Sequence, residues 1–199
     1  MRRILVLAAV VAVAVLVIGA GVLAFAPPPV EFGSSSGYRE GPLFVSRVEP
    51  DADGQGGPGW YHYLMQPGGH FAVVVSVRNT GPVPISILDS QELGYAIAFR
   101  LESLALVDGP NGESYEDWTS APPLASVELA PGDEVRLWAI YRIRDACADG
   151  TPWMAGSSGG RSVIPIRYRE LGLERTAEVQ MRYGVMLDNP GPDTVTLCR

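Results

Sequence analysis

Twenty-three consecutive residues, Ile4 to Ala26, carry no charged or strongly polar side chain. At 1.5 Å rise per residue a helix of that length spans about 34 Å, enough to cross the hydrocarbon core of a bilayer. Arg2 and Arg3 precede the run, and no basic residue follows it until Arg39. That bias keeps the amino end cytoplasmic and sends the remainder outside. The sequence thus predicts one transmembrane helix over residues 1–26 and an extracytoplasmic remainder.

A cleaved signal peptide is the competing reading of the same stretch. Ala24-Phe25-Ala26 has the small-x-small form of a signal peptidase site, which would leave a secreted protein. Two features favour a retained anchor. The run exceeds the 7–15 residues usual for a signal core. The residue after Ala26 is Pro27, which resembles the residue that blocks signal peptidases when it follows the cut.

Beyond Ala26 lie 173 residues, a comfortable length for one domain and short for two. They hold 13 of the 15 arginines and all 22 acidic residues, a formal net charge of −9. A surface of that sign is repelled by nucleic acid and by anionic lipid headgroups. Cys147 and Cys198 are the two cysteines of the chain. In an oxidising compartment an even pair reads as one disulfide, worth about 4 kcal/mol for a loop of this length.

Pro27-Pro28-Pro29 cannot continue a helix, and Phe32 to Gly41, with Gly33-Ser34-Ser35-Ser36-Gly37 at its centre, has the composition of a flexible tether. Residues 27–41 are accordingly expected to be a spacer and 42–199 the folded domain. Strand and turn signals fill that domain. His70 to Arg78 is strongly β-branched and stops at Asn79-Thr80-Gly81-Pro82. Val83 to Leu88, interrupted by Pro84, is expected at a sheet edge. Tyr95 to Val107 reads as a strand with a bend or bulge near Glu102-Ser103. Glu134 to Arg144 alternates Val135, Leu137, Ala139, Tyr141 and Ile143 with a mixed face carrying arginines. Residues 43–49, 60–65, 124–129, 162–169 and 175–187 complete the set. Eight or nine short strands between turns, with no clean helical period after Ala26, predict an all-β antiparallel β-sandwich.

Two stretches carry a resemblance. Residues 79–83 (Asn-Thr-Gly-Pro-Val) end one strand, and residues 129–135 (Leu-Ala-Pro-Gly-Asp-Glu-Val) open another. Both resemble the corresponding turns of immunoglobulin-like domains in bacterial envelope proteins. The anchor, tether and Cys147/Cys198 pair resemble single-pass surface proteins of GC-rich, Gram-positive-type bacteria. The resemblance implies an immunoglobulin-like sandwich over about 43–187 and carries no site residue.

Candidate chemistry is sparse. Asp51-Ala52-Asp53-Gly54-Gln55-Gly56 opens like a calcium loop, but Gln55 stands where the pattern needs Asp or Asn, and His62 where it needs Glu. His62, Met65 and His70 offer imidazole and thioether ligands suited to copper, so an exported copper-binding sandwich is the alternative function. The serines within residues 155–160 lack the nucleophile-elbow spacing. Glu113, Glu116 and Asp117 follow a turn, where solvated carboxylates are ordinary, and a surface hydrolase ranks third. Trp60-Tyr61-His62-Tyr63 is the densest aromatic group; Trp60, Tyr61 and Tyr63 are candidates for partner binding if exposed, and for core packing if not. No cofactor is implied. The function expected is non-enzymatic: binding of an envelope protein or glycan, or an envelope structural role, by a domain held at the membrane through its N-terminal helix.

Overall fold

A computed structural model describes residues 26–38, 41–49, 59–90, 98–109, 114–115, 117–144 and 158–188. The described residues form ten strands and no helix: β1 (Val30–Tyr38), β2 (Phe44–Glu49), β3 (Gly59–Leu64), β4 (His70–Asn79), β5 (Ile85–Leu88), β6 (Phe99–Leu106), β7 (Ser126–Leu129), β8 (Glu134–Ile143), β9 (Ser158–Glu170) and β10 (Leu173–Asp188). Among them no helix is long and apolar enough to cross a membrane, and the apolar run up to residue 25 lies outside them.

The described residues are all-β. A four-stranded sheet has the order β1-β4-β8-β6, and a six-stranded sheet the order β2-β3-β10-β9-β5-β7. Alternate residues of both sheets meet in one apolar core: Val73, Val75 and Val77 of β4 and Leu137, Ala139 and Tyr141 of β8 face Ile164, Ile166, Val179 and Val185 of β9 and β10. Each such side chain, taken out of water, contributes roughly 1.5–3 kcal/mol before conformational entropy is set against it. The opposite face of the four-stranded sheet is covered too. Ala72, Ala105, Trp138 and Ile140 form a second cluster packed by Trp118 and Ala121 from the β6–β7 connection. Trp138 Nε1 donates to Tyr115 O at 3.0 Å, which holds that connection down.

Three expectations need correction. The six-stranded sheet is mixed, because β3 runs parallel to β10 in the register Met186 with His62 and Asp188 with Leu64. β5 is an interior strand, paired with β7 and β9, so Pro84 precedes the ladder instead of marking an edge. The 129–135 turn joins strands of different sheets. Its Gly132, at φ +86°, has its N–H bonded to Asn79 O at 2.8 Å.

The largest correction concerns the spacer. Val30–Tyr38 is a strand of nine residues paired to β4, with a bulge between Phe32 and Ser36. The polar backbone there finds partners far along the chain. Ser34 N and Oγ donate to Glu134 Oε1 at 2.8 and 2.7 Å, Ser35 N donates to Ser76 Oγ at 2.8 Å, and Ser76 Oγ donates to Ser35 O at 2.7 Å. A Cβ on Gly33 would lie 2.6 Å from Glu134 Oε1, so a larger residue there would push that carboxylate away from its serine partners. Small residues fit because a carboxylate closes over them.

Candidate functional site

The aromatic group at 60–63 is structural. Tyr61 and Tyr63 point into the shared core, where Tyr61 stacks on Tyr183 with centroids 5.0 Å apart and Tyr63 on Phe71 at 4.5 Å. Phe71 continues the ring ladder to Tyr141 at 5.2 Å on β8. Burial raises the Tyr61 hydroxyl above the ordinary phenol range and those of Tyr63 and Tyr141 well above it, so all three stay neutral. Tyr63 donates its hydroxyl to Ala72 O at 3.2 Å. Trp60 turns to the other face of its sheet and lies over two glycines. A Cβ on Gly160 would come within 2.9 Å of its ring, and one on Gly184 within 2.5 Å. These aromatics do not form the exposed patch that partner binding would need.

The copper candidates do not converge either. His62 lies on the face opposite the core, with Nδ1 2.9 Å from Asp188 Oδ2. Met65 is buried in the core. His70 begins β4 in the other sheet, with Nε2 2.9 Å from Glu102 Oε2. Three ligands on one metal must share one space, and these occupy three. Among the described residues no cluster of three His, Cys, Asp or Glu side chains is placed to hold an ion. Cys147, Cys198, the 51–56 loop, Glu113 and Glu116 lie outside the described residues.

A site emerges where β1 leaves the sheet. Pairing of β1 with β4 ends at Tyr38 and Val73, and the chain then crosses to begin β2 in the other sheet. The first residues of β4 are therefore open on that side. Gly41 to Phe44 form one wall of the resulting cleft, His70 to Ala72 the floor, and Asp117 to Thr119 the opposite rim, around a volume of about 250 Å³. The walls are set by local geometry. Phe44 N donates to Gly41 O at 3.0 Å, and Phe44 stacks on Tyr38 with centroids 4.4 Å apart. On the rim, Asp117 Oδ1 accepts Thr119 N at 3.0 Å and Asp117 O accepts Ser120 Oγ at 2.8 Å, a turn that presents Trp118.

The cleft combines four aromatic residues (Phe44, Tyr63, Phe71 and Trp118), an imidazole and a carboxylate. It is smaller than the 300–1,000 Å³ usual for whole small-molecule ligands, and suits one ring or one side chain. Of these residues the sequence singled out Tyr63 as a partner-binding candidate, His70 as a copper ligand and Asp117 as a solvated carboxylate. Trp118, a lone tryptophan in an acidic turn, was the available signal. No family model matches the chain, and no curated protein matches it.

Proposed function

We propose that this chain is a single-pass membrane protein presenting one immunoglobulin-like β-sandwich on the extracytoplasmic side, where it acts by binding rather than catalysis. The observation that carries the binding role is the Phe44/His70/Trp118 cleft. Aromatic faces give a ligand ring large rigid contact area, while His70 and Asp117 supply a few oriented polar contacts. One sugar of an envelope glycan or one side chain of an envelope protein fits that chemistry. The two facing sheets with turns at 79–83 and 129–135 support the immunoglobulin-like reading.

Location supports it as well. The apolar run ends at Ala26, beside the β4–β5 turn, since Thr80 N donates to Pro29 O at 2.9 Å. His70 is nine residues back along β4, about 30 Å at strand rise. With the N-terminal anchor retained, the cleft would stand at the end of the domain away from the bilayer.

A photoreactive residue placed at Thr119 in the full chain tests this in intact cells. A discrete adduct is expected, weakened by His70→Ala and Asp117→Asn and absent for the same probe at Glu178 on the outer face of β10. An adduct pattern shared by both probe positions would sink the binding role of the cleft.

A further inference from the structure

Among the described residues, the two most exposed large apolar side chains sit in one turn. Leu171 is 63% exposed and Leu173 53% exposed, at the tip of the β9–β10 hairpin. Leu171 occupies φ +49°, a left-handed conformation that asparagine or glycine adopts far more readily, and Gly172 follows at φ +83°. A two-residue hairpin turn of this kind is best served by Asn-Gly. Leucine there costs both backbone strain and exposed apolar surface, and contributes no core packing in return.

The tip lies beside the end of the apolar run. Arg175 Nη2 donates to Ala26 O at 3.0 Å, and Arg175 Nη1 lies 3.4 Å from Glu170 Oε2, the residue before Leu171. Only Pro27-Pro28-Pro29 separates Ala26 from β1, so no slack lifts the domain off its anchor. Charge agrees. The chain after Ala26 carries −9 overall, yet residues 167–175 hold Arg167, Arg169 and Arg175 against Glu170 and Glu174. The acidic domain turns a locally non-repulsive end toward the anchor.

We infer that the Leu171-Gly172-Leu173 tip inserts into the interfacial region of the bilayer beside the N-terminal helix, seating the domain base on the membrane at a second point. Apolar side chains at the tip enter the acyl boundary while the arginine stems stay at headgroup level. The inference rests on the retained anchor of the proposed function.

Lipid crosslinking of the full chain in phosphatidylcholine vesicles tests it. Benzoylphenylalanine is placed singly at Leu16, Leu171, Leu173 and Gln66, the last at the opposite end of the domain. Phospholipid adducts are expected from Leu16, Leu171 and Leu173, several-fold above those from Gln66. Adducts from Leu16 with none above background from Leu171 and Leu173 overturn the inference and leave the anchor standing. No adduct from Leu16 overturns the anchor and the inference with it. Adducts from Leu171 to a second copy of the chain would make the tip a self-association surface, and also overturn it. Leu171→Asn gives a second readout: it is expected to raise thermal stability while lowering lipid adducts from a probe at position 173. A fall in thermal stability would make Leu171 a folding residue and reject the assignment.

Discussion

Asn79 joins more of the molecule than any apolar side chain of its size could. It is fully buried at the end of β4, and its Nδ2 donates to Val83 O at 2.9 Å and to Leu129 O at 3.0 Å. Its Oδ1 accepts Gly81 N at 2.9 Å. One amide therefore closes the turn after β4 and ties the end of β7, in the facing sheet, to it. An amide is needed because the partners are two acceptors and one donor; a carboxylate would face two carbonyls with no proton to give. Removing it strands three backbone groups at about 1 kcal/mol each. Asn79→Ala is expected to lose about 3 kcal/mol, which lowers Tm by roughly 6–12 °C for a domain of this size. Thermal unfolding checks this, and a change under about 2 °C would mean that water replaces the amide at no cost.

At the scale of elements, β1 and its bulge depend on one carboxylate. Burial opposes charge on Glu134, but bonds from the Ser34 hydroxyl and N–H and from Arg78 Nη2 at 3.0 Å outweigh it and hold the carboxyl below its usual range. A folded carboxyl held low stabilises the fold above the unfolded pKa of about 4.3, and that contribution is lost as pH falls through the folded value. Arg78 is half exposed, so the contribution is modest. Glu134→Gln should cost about 1 kcal/mol at pH 7, and its difference from the parent should vanish by about pH 3. Urea unfolding at the two pH values decides it; an equal difference at both would remove the charge from the account. The same strand shows where legibility ended. β4 was readable because Val73 to Val77 carry their own strand preference, and the bend near Glu102 was readable as a break in alternation, which the register shift between Leu101 and Ser103 matches. Gly33 to Gly37 have no such preference. Their strand exists because Ser76 and Glu134, 41 and 100 residues from their serine partners, bond to them. The interior place of β5, the parallel β3–β10 pair and the cleft depend in the same way on contacts distant in sequence, which no local pattern encodes.

Across the whole molecule the two ends of the sheets differ. Ala26, the 79–83 and 130–133 turns and the 170–173 tip gather at the base, while the cleft and the carboxyl ends of β8 and β10 lie opposite. Gly68 N donates to Ile143 O at 3.1 Å and Met65 N to Asp188 O at 2.9 Å, so the short 65–69 segment bridges those two strand ends. Cys147 follows Ile143 by four residues and Cys198 follows Asp188 by ten. A disulfide between them, expected from the even cysteine pair, would restrain the unfolded chain by about 4 kcal/mol. Full-length protein from the cell envelope, denatured and alkylated without reductant, is expected to keep both cysteines unmodified and to gain two alkyl groups after reduction. Cys147→Ser with Cys198→Ser should lower unfolding stability by about 4 kcal/mol. Two freely alkylated thiols in the unreduced protein would eliminate the crosslink.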